Sequence, residues 1–153
     1  MVPTERRCSR RPLTYNRAMD ETLHQRCLDA LHRTLAAEVG PQASARVVVL
    51  FGSQASGRAR ASSDVDLGIA LEAPMDAALR ERVAASVAAS IGRDVDLVDL
   101  LTAPSHLVSQ ALRTGTLLAG ARSPALADLV CKMVAEREDI APYQRRMLEA
   151  RNR

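Results

Sequence analysis

The sequence predicts an α/β (α+β) domain: a small mixed sheet with helices packed on one face and a functional site on the open face. Three observations carry this expectation. "RVVVLFG" (46–52) is continuously apolar and ends in glycine, as a strand buried on both faces would. "SDVDLGIALE" (63–72) alternates, with Val65, Leu67, Ile69 and Leu71 on one face and Asp64, Asp66, Gly68 and Ala70 on the other. Between it and a third strand-like run, "RDVDLVDLL" (93–101), lie Leu79, Val83, Val87 and Ile91 at helical spacing, so this helix reads as a crossover.

The elements follow in order. A first helix is expected from about Asp20 to Glu38, stopped by Gly40 and Pro41 in "VGPQAS". Its apolar stripe is Leu23, Cys27, Leu31 and Leu35, which makes Cys27 a core residue. After the first two strands, Asp76 is placed to N-cap the crossover helix over 76–91 and Gly92 to close it. Past Pro104 a short helix is expected near Ser105–Arg113, then a brief apolar "TLLAG". Ser123 and Pro124 then open a final helix as N-cap and first residue, which Pro142 bends or ends before "YQRRMLEARNR".

Composition narrows the function. A chain of 153 residues with 47% hydrophobic content can bury one sizeable core. The organisation expected is a basic, flexible tail over residues 1–18 and a single domain over 19–153, with Met19 as an alternative start. The net charge of +3 arises in the tail, where residues 1–19 hold five arginines against Glu5 alone. The aromatic residues are Phe51, Tyr15 and Tyr143, too few for base-stacking platforms, which argues against nucleic acid as substrate. Nothing approaches the ~18 consecutive apolar residues of a membrane span, so a soluble cytoplasmic protein with no membrane partner is expected. Cys8, Cys27 and Cys131 are odd in number and scattered, suiting neither a disulfide framework nor zinc. His24 and His32 would stand about 12 Å apart along one helix, too far to share an ion.

The chemistry concentrates around the second strand. Asp64 and Asp66 leave the same strand face roughly 7 Å apart, and two hard oxygen donors there suit Mg2+. A third acid on the strand after the crossover, best Asp96, would complete a site for two ions that clamp the attacking and leaving oxygens of a phosphoryl transfer. Asp94 shares that face and stays a candidate, whereas Asp99 lies opposite. Upstream, Gly52 and Ser53 end the buried strand, where open α/β sheets place ligands, and "QASGRARASS" (54–63) adds hydroxyls and arginines suited to a triphosphate.

"GSQASGRARASSDVD" places ten residues between Ser53 and Asp64. This G-S-x(10)-D-x-D spacing resembles that of the DNA polymerase β-like nucleotidyltransferase superfamily, and "DVDLVDL" resembles its third-carboxylate strand. By size, short linking helix and the C-terminal "REDIAPYQRRM", the chain is most similar to the minimal nucleotidyltransferases, the MNT antitoxins paired with HEPN ribonuclease toxins. The resemblance covers residue 20 to the end and implies the polymerase β-like fold. It further implies that Gly52 and Ser53 hold the β/γ phosphates of ATP, that Asp64 and Asp66 bind both Mg2+ ions, and that Asp96 binds the ion activating the acceptor hydroxyl. Relatives often read G-S-x-A-R-G, but Ser56 stands where that arginine would be, leaving Arg58 or Arg60 to replace it.

Too few residues follow the catalytic core to build a substrate domain, so the acceptor hydroxyl is expected on a docked protein. The resemblance names a tyrosine of a HEPN toxin, silenced by AMP transfer in a type VII toxin–antitoxin pair. Modification of a small molecule such as an aminoglycoside, and inhibition by binding alone, are the alternatives. For docking, "YQRRMLEARNR" offers Tyr143, Met147 and Leu148 beside Arg145 and Arg146, although Tyr143 and Met147 also have core-like spacing.

Overall fold

The computed structural model describes residues 17–53 and 63–136, and side chains from residue 21 onward. The basic tail, the loop carrying Ser56, Arg58 and Arg60, and the C-terminal stretch with Pro142 and Tyr143 lie outside the described residues.

The chain runs α1 (Arg17–Glu38), β1 (Val47–Phe51), β2 (Val65–Ala70), α2 (Ala77–Ile91), β3 (Val95–Asp99), α3 (Ser105–Thr114) and β4 (Thr116–Ala119). A further helix, α4, occupies 124–136. The strands form one mixed sheet in the order β3-β2-β1-β4. β2 and β3 are parallel, joined through α2 as the expected crossover, whereas β1 pairs antiparallel with both β2 and β4. The apolar "TLLAG" thus becomes an edge strand.

Local chemistry sets the boundaries. The Asp76 carboxylate accepts from Leu79 N at 2.6 Å, and Gly92 closes α2 in the left-handed conformation. Ser123 Oγ accepts from Leu126 N at 3.2 Å, opening α4 as expected. β3 is shorter than the apolar run suggested, because Leu100 and Leu101 turn away from the ladder at Asp99.

Alternation divides the core between two faces. Val48 and Leu50 of β1, Val65, Leu67 and Ile69 of β2, and Leu97 of β3 pack against Cys27, Leu31 and Leu35 of α1 and Val83, Val87 and Ile91 of α2. This is the expected helical layer, with Cys27 in it; burial pushes that thiol up to about 11 and keeps it protonated. The opposite face is open at one end only. There Val47, Val49, Phe51 and Ala70 meet Leu100, Val108 and Ala111, with Leu129 of α4. β1, apolar on both sides, is buried along its whole length.

Candidate active site

The open end of the second face is where β1 stops and β2 and β3 begin. In the antiparallel ladder Phe51 stands opposite Asp66, and in the parallel ladder Asp66 stands opposite Asp96. Asp64 lies just ahead of β2, one alternation step further out on the same face. The topology therefore gathers Asp64, Asp66 and Asp96 at the carboxyl end of β1. Asp94 is one step out from Asp96, and its backbone carbonyl accepts from Val65 N at 2.9 Å.

Gly52 makes this assembly possible. The chain leaves β1 through it with φ +71°, and a Cβ there would overlap one oxygen of the Asp66 carboxylate and lie 2.8 Å from its Cγ. The absence of a side chain lets Asp66 rest directly against the turn that carries Ser53. Asp66 is half-buried, whereas Asp64 and Asp96 are exposed. Burial, then the charge of Asp96, then that of Asp64 raise the Asp66 pKa above its ordinary 3.8. A carboxylate whose charge is disfavoured by burial and by two neighbouring acids is a natural seat for a cation.

The donors suit Mg2+, but they form an open set. Among the described residues no three His, Cys, Asp or Glu side chains close around a point as a metal cage. Mg2+ is commonly held by one or two carboxylates with substrate phosphates and water completing its octahedron, so an open set of acids beside a Gly-Ser turn fits it.

The model of the family "Polymerase beta, Nucleotidyltransferase" matches residues 35–123, more than half of the chain and all of this site. The chain belongs to the polymerase β nucleotidyltransferase family. Within the family it is similar to the protein adenylyltransferase MntA of Shewanella oneidensis, at 33% identity over 75 residues. That match covers 49% of this chain and 54% of the relative, so the chain spans about half the length of the curated relative it matches. Two solved structures share the fold. One is a toxin–antitoxin crystal structure with AMP-PNP (TM-score 0.65, 22% identity, 82% of this chain and 98% of that one). The other is a tri-AMPylated Shewanella oneidensis HEPN toxin in complex with an MNT antitoxin (TM-score 0.66, 20% identity, 88% of this chain and 100% of that one).

Of the site residues expected from the sequence, this nucleotidyltransferase fold brings together Gly52, Asp64, Asp66 and Asp96, with half-buried Ser53 next in the turn. Arg58 lies outside the described residues. Two supporting features went unread in the sequence. Phe51 forms the apolar edge of the site opposite Asp66, and strict alternation could have placed it there. Asp99 is not an open acid but a buried one, 2% exposed, whose carboxylate accepts from Met75 N at 2.8 Å and Leu101 N at 2.9 Å. A carboxylate bonding two residues onward is an Asx-type turn, legible only once β3 is known to end there.

Proposed function

We propose that this chain is a cytoplasmic Mg2+-dependent protein adenylyltransferase. It is the antitoxin of a HEPN ribonuclease toxin and transfers AMP from ATP to a tyrosine hydroxyl of that toxin. The observation that carries the reading is the placement of Asp64, Asp66 and Asp96 around a glycine–serine turn whose glycine leaves room for Asp66. The adenylyltransferase name of the relative and the HEPN–MNT complexes among the fold neighbours support the acceptor.

Gly52 and Ser53 hold the β/γ phosphates, with Arg58 from the following loop. Asp64, Asp66 and Asp96 would hold the Mg2+ ions, Asp64 and Asp66 contributing to both and Asp96 to the one that activates the acceptor hydroxyl. When bound, the ions neutralise phosphate charge and lower the pKa of the acceptor hydroxyl. The acceptor oxygen then bonds to the α-phosphorus while the bond to the bridging oxygen breaks. Pyrophosphate leaves, and the hydroxyl proton is released to solvent. Phe51 and the cover from α3 keep the inner edge of the site dry, which strengthens the electrostatic contacts there.

The test is incubation of purified chain with Mg·ATP and a purified HEPN-type toxin from the same organism, read by intact mass. One or more AMP units on the partner, lost on chelation of Mg2+, are expected. No mass change on the partner, together with AMP transfer to an aminoglycoside, would move the acceptor to a small molecule. Inhibition of the ribonuclease without any added mass would reduce the chain to a binding antitoxin.

A further inference from the structure

Three carboxylates face a site that must also accept a triphosphate, so a cation is needed opposite them. On this face the fold supplies one that the sequence motif does not include. α3 starts just beyond the far end of β3 and crosses the second face, burying Val108 and Ala111 against it. It ends where β1 ends. Gly115 sits so close to β1 that a Cβ on it would meet the Val49 side chain and lie 2.8 Å from the Leu50 carbonyl oxygen, and Thr116 then pairs with Leu50. The last turn of α3 is thereby pinned beside the strand end that leads into Gly52 and Ser53. That turn carries Arg113, which is exposed.

The other cations of the described residues are placed elsewhere. Arg26 and Arg82 serve the α1–α2 layer on the opposite face, bonding the Ser90 carbonyl and Glu38. Arg33 and Arg80 are carried by α1 and α2 of that layer, and Arg93 lies near enough to Cys27 for its charge to act on the thiol. Arg46 pairs with Glu72 at the other end of β1, Arg122 follows β4 at that end, and Lys132 donates to the Leu101 carbonyl. Among the described residues, Arg113 is the guanidinium at the open end of the acid-bearing face.

We propose that Arg113 is a phosphate-binding residue of this site, reaching from the end of α3 to the β/γ phosphates held by Gly52 and Ser53. This rests on the nucleotide-binding reading above. A guanidinium takes two phosphate oxygens at once, and such charge-assisted contacts are among the stronger hydrogen bonds in proteins.

The experiment is calorimetric titration of the full chain with Mg·AMP-PNP and, separately, with AMP, which lacks the β and γ phosphates. The proteins compared are wild type, Arg113→Ala, Arg113→Lys and the control Arg122→Ala. Arg113→Ala is expected to bind AMP-PNP about 10- to 100-fold more weakly while its AMP affinity stays within about twofold of wild type. Arg113→Lys should fall between, and Arg122→Ala should match wild type. AMP-PNP affinity within about twofold of wild type in Arg113→Ala would overturn the proposal. So would equal losses for AMP and AMP-PNP, which would mark a structural role for the side chain. If wild type binds neither nucleotide, the nucleotidyltransferase reading falls and this proposal with it, an outcome distinct from a binding wild type with an indifferent variant.

Discussion

Asp66 and Asp99 stand at opposite ends of the same parallel strand pair, and their surroundings are opposite in kind. At one end Asp66 faces Asp96 across the ladder with Asp64 beside it, and its charge is disfavoured by burial and by both neighbours. At the other end Asp99, almost fully buried, has backbone N–H groups of Met75 and Leu101 aimed at its two oxygens. Asp99 is an acid the fold has satisfied, fastening the approach to α2 onto the end of β3. Asp66 is an acid whose charge the fold disfavours, the state expected of a carboxylate poised for a ligand. The difference separates a carboxylate the fold supports with backbone donors from one whose charge it disfavours, where residue type alone does not.

The sharpest way to break the comparison is to neutralise each acid in turn. Asp66→Asn and Asp64→Asn should abolish AMP transfer, by on the order of 10²-fold or more, because metal stabilisation of the transition state is worth several kcal/mol. Asp66→Asn should unfold at the wild-type midpoint or above it, since a disfavoured charge is gone. Intact-mass kinetics and thermal melts check both halves. Wild-type transfer by Asp66→Asn would remove it from the chemistry, and a collapsed midpoint would make it a structural acid after all.

Asp99→Ala reverses the pattern. It strips the acceptors from two inward-pointing N–H groups and should lower stability by about 2–4 kcal/mol, read from urea unfolding. Nucleotide affinity per folded molecule should stay near wild type. A stable variant that has lost Mg·AMP-PNP binding would show that the two ends are not divided as described.

Gly52→Ala sharpens the line from the acid side. The substitution strains a turn at φ +71° by about 1 kcal/mol and drives a methyl into the space of the Asp66 carboxylate. Transfer should fall much more than stability. Near-normal transfer would mean that contact between turn and acid is dispensable.

The same contrast explains how far the sequence could be read. Period-two alternation in β2, helical spacing in α2 and the Asp76, Gly92 and Ser123 caps are local signals, and each element lies where its pattern places it. The acid trio was legible because alternation assigns faces and the crossover makes β2 and β3 parallel, which brings Asp66 and Asp96 level. The role of Asp99 was not, since its donors come from Met75, on another segment, and from a turn visible only when the ladder stops. Nor was the cover on the second face. Which face α3 takes depends on β4 pairing beside β1, and four residues of edge strand leave no periodicity from which to infer a partner.

The smallest expected effect is on pH, and its sign follows from the raised pKa of Asp66. In the unfolded chain this carboxyl titrates in the ordinary range, whereas in the fold it holds its proton to higher pH. Between those two values the native state binds more protons, so stability falls as pH rises through the window and is flat above it. Asp66→Asn cannot ionise. Its stability advantage over wild type should therefore be full at neutral pH, shrink as pH falls through the window, and vanish below the ordinary carboxylate range. Taking the difference between the two proteins cancels the titration of groups that do not interact with Asp66. Saturating Mg2+ with AMP-PNP should reduce the neutral-pH advantage as well, because bound cations relieve in the wild type the repulsion that the asparagine lacks. Urea midpoints for both proteins across acidic to neutral pH measure it. An advantage that grew on acidification would mean that the fold stabilises Asp66 as a charge rather than opposing it.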